Sequence, residues 1–420
     1  MRVSINYLIL SLYFFVYFTP QYLSVNLLAY DRVYPQMLVI SLLNVFSFIY
    51  ILRNYDFRRF FSELEYKYHF LSYLSIIIIS IISLSVAENL IEGIAALVKL
   101  INLFLAFCLI LILASHPRLK LLRFFITVTL ISLFIESVLI NYQVIDSVII
   151  NGRLLERSNE FAGFGANVNI SSFSVLIKSI VPVYLLFNYK NHWIRLVSLV
   201  FLYSSFLTIL LLMSRAAVLS LILVVVCILF FVILSNKLIN YSRYGLIILA
   251  ILTSVISYNA LNEKNTYNIL SERFSNVTDP IVDESVNERL NFYTTALQSI
   301  SEKPLLGIGI GNWKIKSIDF SKEIIENYRV PYFVHNDFLQ FSTEIGIIGG
   351  ICFIFYIFYP LLISFKRVLI QKRFSLDFMI FLIFTIYIVD SMLNFPVERP
   401  INYIYLCFTI ALFYQTKKTN

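Results

Sequence analysis

Long apolar stretches of helical length alternate with short polar connections along most of this chain. A transmembrane helix needs about 20 apolar residues to cross the hydrocarbon of a bilayer. Because only helices and closed barrels satisfy their own backbone in lipid, and the stretches lack the alternation of barrel strands, they predict an all-α integral membrane protein. The pattern predicts about 12 transmembrane helices, at 5–28, 35–52, 70–87, 93–114, 123–141, 170–187, 194–213, 216–235, 245–260, 341–365, 376–394 and 401–415.

One long polar segment interrupts this pattern between the ninth and tenth predicted helices. Residues 261–334 contain Asn, Asp, Glu, Ser and Lys in the proportions of an ordinary globular protein. We expect a loop subdomain of short helices lying on the membrane surface, within a single polytopic domain of residues 1–420. Residues 317–328 place apolar side chains at helical spacing and predict one amphipathic helix of this subdomain.

Composition supports the membrane class and excludes others. Hydrophobic residues make up 59% of the chain and charged residues 14%, and the mean hydropathy is +0.81. A soluble domain could not bury so much apolar surface. The net charge of +8 suits an anionic membrane surface rather than nucleic acid. The four cysteines lie inside predicted helices, so we expect no disulfide framework and no metal-binding spacing among them. We expect no cofactor.

The distribution of Lys and Arg predicts the orientation in the membrane. With the N-terminus in the cytoplasm, eighteen of these residues fall in predicted inner segments and five in short outer loops. Basic residues accumulate on the cytoplasmic side, so we expect both termini inside. Residues 261–334 are then extracytoplasmic.

Two arginines in outer elements are candidates for chemistry. Arg215 follows Met213 and Ser214 in a tight turn between two long apolar helices, and Arg289 opens a helix predicted to run to Ile300. Taken singly, Arg215 is better interpreted as an anchor at the membrane boundary, and Arg289 as a partner in a surface ion pair.

A glycine-rich run precedes the tenth helix. Gly307, Gly309 and Gly311 alternate with isoleucines, which suggests a dinucleotide fingerprint, but the strand and βαβ unit that such a site needs are absent from the sequence pattern. A turn in which the backbone approaches another group closely is the better interpretation.

The run His335-Asn336-Asp337 lies where the polar loop meets the tenth helix. Imidazole titrates near neutral pH and can take a proton from a hydroxyl. Asn336 or Asp337 is expected to cap the helix, which leaves His335 facing the loop.

Four charged residues lie within predicted helices: Lys99, Glu136, Lys178 and Asp390. Charges in hydrocarbon are costly and usually face the interior of a bundle. Pairing in a hydrated cavity that opens outward is one interpretation, and snorkelling explains Lys99 equally well.

These elements together resemble the O-antigen ligase and polymerase superfamily of bacterial envelope glycosyltransferases. The resemblance covers the helix layout and the long outer loop. The matching motifs are Ser214-Arg215-Ala216, Arg289 at the start of a loop helix, Pro-Leu-Leu-Gly-x-Gly-x-Gly-Asn-Trp at 304–313, and His-Asn-x-x-Leu-Gln-x-x-x-Glu-x-Gly at 335–346.

The resemblance implies a reaction and roles for residues. It implies a glycan carried on undecaprenyl pyrophosphate as donor, a lipid A-core, glycan or protein acceptor, and transfer at the periplasmic face of the bacterial inner membrane. His335 would be the catalytic base, and Arg215 and Arg289 would be catalytic through the diphosphate, whose charge suits guanidinium groups. We expect inversion without a metal ion. The expected substrate-binding residues are Asn336, Asp337, Gly309, Gly311, Asn312 and Lys178.

Several functions share these motifs. We expect an O-antigen ligase, because length and layout are similar to that group. A repeat-unit polymerase and a protein O-oligosaccharyltransferase are alternatives within the superfamily. A polysaccharide or lipid-linked-sugar transporter is the alternative outside it, but its polar residues would line a path through the bilayer, whereas these gather in the outer half. Arg153, Arg157 and Arg399 lie in outer loops and stay without an assigned role.

Overall fold

The computed structural model describes residues 2–19, 33–55, 67–165, 167–235, 241–263, 284–321 and 331–418. Within these ranges the secondary structure is helical, without a β-strand. The α-helices are α1 (Arg2–Phe14), α2 (Val33–Asn54), α3 (Lys67–Ser83), α4 (Leu90–Ala114), α5 (Leu121–Ile145), α6 (Val168–Asn188), α7 (His192–Leu211), α8 (Arg215–Ser235), α9 (Tyr241–Leu261), α10 (Glu284–Glu302), α11 (Trp313–Ser321), α12 (Asp337–Gln371), α13 (Leu376–Leu393) and α14 (Pro400–Lys418).

The helix lengths confirm the predicted class of an all-α integral membrane protein. Ten of the described helices are long and apolar enough to cross a membrane, namely α2 to α9, α12 and α13. They match the second to eleventh predicted spans. The first predicted span, 5–28, contains α1 and a 3₁₀ turn at Phe15–Phe18 and then leaves the described residues. The twelfth, 401–415, lies within α14.

Backbone contacts divide the chain into two compact units. The first comprises Met1–Leu119, Asp279–Pro360 and Ser391–Lys418, and the second comprises Lys120–Thr278, Leu361–Asp390 and the last two residues. The predicted loop subdomain, 261–334, is described only in part, as α10, α11 and the glycine run between them; residues 264–283 and 322–330 lie outside the described residues. Most of the predicted amphipathic helix at 317–328 falls there as well.

In the first unit, α12 is not a continuous helix, in contrast to the uninterrupted span predicted at 341–365. Its backbone leaves helical geometry at Ile345 (φ −123°, ψ 17°) and Gly346 (φ 78°, ψ 172°). A break of this kind frees backbone groups that must find partners elsewhere in the protein. The difference has a physical cause. Hydropathy reports how readily side chains enter lipid, and it does not detect a residue with left-handed backbone geometry inside an apolar run.

The glycine run supplies those partners. The amides of Ile308 and Gly309 donate to the carbonyls of Thr343 and Glu344 at 2.9 and 3.0 Å. The amide of Ile347, just after the break, donates to the carbonyl of Pro304 at 2.9 Å. The run therefore completes the hydrogen bonding of the broken helix.

The same run packs closely against the start of α4. A Cβ atom on Gly309 (φ +94°) would lie 2.6 Å from the Cα of Ala87, and one on Gly311 (φ +71°) would lie 2.8 Å from the carbonyl oxygen of Glu92. Side chains at these two positions would overlap the neighbouring backbone, so only glycine fits. These contacts support the interpretation of a closely packed turn.

Candidate active site

The loop before α12 holds His335 in an uncommon backbone conformation. His335 has φ of +60°, a left-handed value that costs free energy for a residue with a side chain. Asn336 caps α12, as predicted, because its Oδ1 accepts from the amide of Leu339 at 3.1 Å. On the other side of the histidine, the amide of Val334 donates to Oε1 of Gln340 at 2.7 Å. Contacts on both neighbours thus fix the direction of the imidazole.

Glu344 connects this loop to the glycine run. Its Oε1 accepts from Nε2 of Gln340 at 2.8 Å and from the amide of Trp313 at 3.2 Å. Its Oε2 accepts from the amide of Gly311 at 2.9 Å. A buried carboxylate surrounded by donors is a strong local anchor. Through Gln340, Glu344 links the packing of the glycine run to the loop that carries His335.

Asn312 is also committed to this packing. Its Oδ1 accepts from the amide of Asn89 at 2.7 Å, and its Nδ2 donates to the carbonyls of Asn89 and Ile310 at 3.2 and 3.0 Å. Asn312 is buried. It reciprocally bonds the residue that caps α4. Its predicted role in binding substrate stays a prediction, and its observed contacts are with the protein.

Aromatic rings surround the His335 side chain. The imidazole lies parallel to the ring of Phe292 on α10, with centroids 6.2 Å apart, and meets the ring of Phe395 edge-on at 4.9 Å. The side chain is half-buried. Its Nδ1 is shielded from solvent and has no hydrogen-bond partner within the described part of the chain.

Burial and charge lower the pKa of His335 to about 4. Desolvation disfavours the imidazolium, and the nearby guanidinium groups of Arg289 and Arg399 add like-charge repulsion. The imidazole is therefore neutral at neutral pH, with one ring nitrogen able to accept a proton.

Helix α10 positions Arg289 in the same unit. The Nη2 of Arg289 lies 3.5 Å from Oδ1 of Asn394, at the end of α13. One turn along α10, the hydroxyl of Tyr293 lies 3.1 Å from the carbonyl oxygen of His335 and 3.0 Å from that of Met392. These contacts tie α10 to the histidine loop and to residues 392–394, so Arg289 and His335 lie in one unit.

Arg399 joins this group, although the sequence left its role open. Its guanidinium carbon lies 4.8 Å from the centre of the Phe395 ring and 5.7 Å from that of Phe333. The two rings stack on each other with centroids 4.2 Å apart. Arg399 is distant in sequence from His335 and Arg289, so no local pattern could have indicated its position near them.

Asp337 anchors residues 394–399, which connect α13 to α14. Its fully buried carboxylate accepts, at Oδ2, from the hydroxyl of Ser391 at 3.2 Å and from the amide of Val397 at 3.3 Å. Asp337 was predicted to bind substrate. The observed contacts give it a positioning role for the connection, and its part in binding stays a prediction.

The second unit carries Arg215 at the start of α8, in a turn that begins at Met213 with φ of +50°. Asn169 supports this turn, because its Oδ1 accepts from the hydroxyl of Ser214 at 3.1 Å and from Nη2 of Arg157 at 3.2 Å. Arg157 is thereby linked to the Arg215 turn. Arg153, by contrast, is largely exposed, 3.8 Å from a carboxylate oxygen of Glu160.

The pairing predicted for charges inside the helices is confirmed for Glu136 and Lys178. The two side chains form an ion pair in the second unit, with 1% and 3% exposure. Hydroxyls of Ser132 and Ser174 each donate to the Glu136 carboxylate at 2.8 Å. A buried pair needs such additional bonds to offset desolvation. In the first unit, Lys99 pairs instead with Glu398, so snorkelling alone does not account for it.

Among the described residues, His, Cys, Asp and Glu form no group of three or more that could hold a metal ion.

Residues 198–354 match the family model described as O-antigen ligase. This range contains Arg215, Arg289, the glycine run and His335. No curated protein matches the chain.

Proposed function

We propose that this chain is a member of the O-antigen ligase and polymerase superfamily, as the match of residues 198–354 to the O-antigen ligase family model supports, and that it transfers a glycan from undecaprenyl pyrophosphate to an acceptor hydroxyl. The observation that carries the proposal is the neutral, half-buried His335 beside the guanidinium of Arg289. A base next to a cation suits a displacement in which a hydroxyl loses a proton while a diphosphate departs.

The proposed step is a single displacement. The acceptor oxygen attacks the anomeric carbon, the bond from that carbon to the diphosphate oxygen breaks, and the electron pair leaves with the diphosphate. The hydroxyl proton passes to the imidazole of His335. Attack opposite the leaving group inverts the anomeric centre, and no metal ion takes part.

Donor binding would strengthen His335 as a base. In the free protein, burial and the charges of Arg289 and Arg399 hold its pKa down. A bound diphosphate is an anion near the same guanidinium groups, and a nearby negative charge favours the imidazolium. The pKa of His335 is therefore expected to rise toward its ordinary value when the donor is present.

Arg289 is the proposed stabiliser of the leaving diphosphate. Its guanidinium stays charged in a half-buried setting and binds phosphate oxygens in pairs. We propose Arg215 as a further catalytic residue because of its motif and its chemistry. Arg215→Ala tests this role separately. The proposed binding residues are Asn336, Asp337, Gly309, Gly311, Asn312 and Lys178. The contacts described above are with other residues of the protein.

We propose the ligase reaction, with lipid A-core as acceptor, as the specific activity. Disruption of the gene distinguishes the alternatives. Loss of long surface glycan with accumulation of lipid-linked polymer indicates a ligase. A single repeat unit attached to the acceptor indicates a polymerase, and loss of glycan from proteins indicates a protein O-oligosaccharyltransferase.

The proposed location is the bacterial inner membrane, with both termini cytoplasmic and the site periplasmic. The distribution of Lys and Arg supports it. A cysteine introduced at Leu305, which is 69% exposed, tests it. Labelling of that cysteine in intact spheroplasts by a membrane-impermeant maleimide supports the periplasmic site, and labelling only after lysis contradicts it.

His335→Ala tests the chemistry. General-base catalysis contributes about 10²–10⁴-fold to rate, so the variant should lose transfer by that factor with a purified lipid-linked donor. His192→Ala is the matched control, because His192 is exposed at the start of α7 in the second unit. A His335→Ala protein that folds normally and transfers glycan at the wild-type rate would overturn the proposal.

A further inference from the structure

Residues 394–399 bring three groups to the surroundings of His335. Asn394 contacts Arg289, Phe395 contacts the imidazole, and Arg399 lies over Phe395. The imidazole and the Arg399 guanidinium therefore adjoin one phenyl ring, at 4.9 and 4.8 Å from its centre. This six-residue connection thus contacts Arg289 and the imidazole and itself carries Arg399.

Arg399 lies in the same surroundings as a second guanidinium group. The Nη2 of Arg289 lies 3.5 Å from Oδ1 of Asn394, in the connection that also carries Arg399. Arg399 immediately precedes α14, where a helix N-terminus disfavours positive charge. The positive charge of the site is therefore concentrated around this connection.

The surroundings favour an anion. Two guanidinium groups around one imidazole attract an anion, and Arg binds phosphate oxygens in a bidentate manner. The stacked rings of Phe333 and Phe395 hold the Arg399 side chain, so less conformational freedom is lost when it binds. A diphosphate offers two phosphoryl groups and can engage two separate arginines.

We propose that Arg399 binds a phosphoryl group of the donor, forming with Arg289 a two-arginine diphosphate site beside His335. This inference rests on the proposed function for the identity of the donor. It assigns residues 394–399 to the site, with Asp337 as the residue that positions them through Ser391 and Val397.

Binding of inorganic pyrophosphate to the purified full-length protein tests the inference without requiring transfer. Loss of a charge-assisted, bidentate contact should weaken binding about 10- to 100-fold in Arg399→Ala. Arg399→Lys keeps the charge without the planar fork and should fall between the two. Arg153→Ala is the matched control, since Arg153 is an exposed arginine of an outer-loop segment in the second unit, and it should bind like wild type.

A second measurement separates binding from a structural role. In Arg399→Gln, one source of repulsion on the imidazolium is removed, so the pKa of His335 should rise. Arg289, Asp337 and the Lys99–Glu398 pair also surround the site and are unchanged in this variant. The acid limb of kcat/KM should therefore move to higher pH, and the KM for the lipid-linked donor should rise.

The outcomes distinguish this inference from the proposed function. If Arg399→Ala folds normally and binds pyrophosphate as tightly as wild type, the inference is wrong, whatever His335→Ala does to transfer. If pyrophosphate binding falls while the wild-type protein transfers no glycan, the two-arginine site stands and the proposed function fails.

Discussion

Glu344→Gln is the most direct perturbation of the network that orients His335. The carboxylate accepts at both oxygens: Oε1 from Gln340 and Trp313, and Oε2 from Gly311. A glutamine amide has one acceptor oxygen, so its NH₂ group must face a donor in either orientation. With the amide oxygen at the Oε1 position, the amide of Gly311 loses its partner.

The magnitude follows from the count of lost acceptors. A buried donor left unsatisfied costs about 1–3 kcal/mol, so we expect Glu344→Gln to destabilise the protein by about that amount. Glu344→Leu removes the partner of all three donors and should cost more, about 3–6 kcal/mol. Glu302→Gln is the control, because Glu302 is exposed on α10 and accepts from Gln298 at 3.0 Å.

The assay is the midpoint of thermal unfolding in detergent, followed by intrinsic fluorescence at one heating rate, together with the rate of glycan transfer. The order of midpoints should be control, then Glu344→Gln, then Glu344→Leu. Transfer should fall in Glu344→Leu, because Gln340 then loses its acceptor and is no longer held in place to bind the amide of Val334. Unchanged unfolding and transfer in Glu344→Leu would refute the idea that this network positions the histidine.

Three further predictions concern other parts of the molecule. Because the pKa of His335 lies at about 4 in the free protein, kcat/KM should stay level as pH falls from about 8 to about 5 and decline only as the imidazole gains a proton. An acid limb near 6.5 would contradict His335 as the base. Gly309→Ala should lower the unfolding midpoint markedly, because the new Cβ would lie 2.6 Å from a neighbouring Cα. Gly152→Ala is the control: Gly152 also has a positive φ, but its Cβ would have nothing within 4 Å, so the variant should cost only local strain of about 1 kcal/mol. Equal shifts in the two variants would refute the packing role. Lys178→Met should destabilise the protein by about 3–5 kcal/mol, because it leaves Glu136 buried and unpaired. Adding Glu136→Leu should recover most of this loss in thermal unfolding. If the effects of the two substitutions simply add, the pairing is contradicted.

The sequence by itself determined the class and the spans. Apolar runs of helical length can be satisfied in lipid only as helices, so the second to eleventh predicted spans correspond to described helices with small differences at their ends. Local chemistry also determined the cap at Asn336, since capping depends on a side chain and the amides that follow it within one turn.

The site was predictable only where a residue carries a local signal. His335 was identifiable because a histidine at the boundary between a polar loop and an apolar helix is uncommon, whereas Arg289 became a candidate only through the family resemblance. The cost of isolated charges in hydrocarbon indicated that charges within the helices could pair, but only the structure shows that Lys178 pairs with Glu136.

Tertiary structure alone decided how these residues meet. The break in α12 depends on carbonyls that bind the amides of Ile308 and Gly309, and hydropathy does not register such partners. Arg399 enters the site because Asp337 and Phe395 bring residues 394–399 to the histidine loop, more than fifty residues away along the chain. The sequence pattern indicates the local secondary structure and whether a segment lies in lipid or in water. Contacts between distant segments depend instead on the packing of the folded chain.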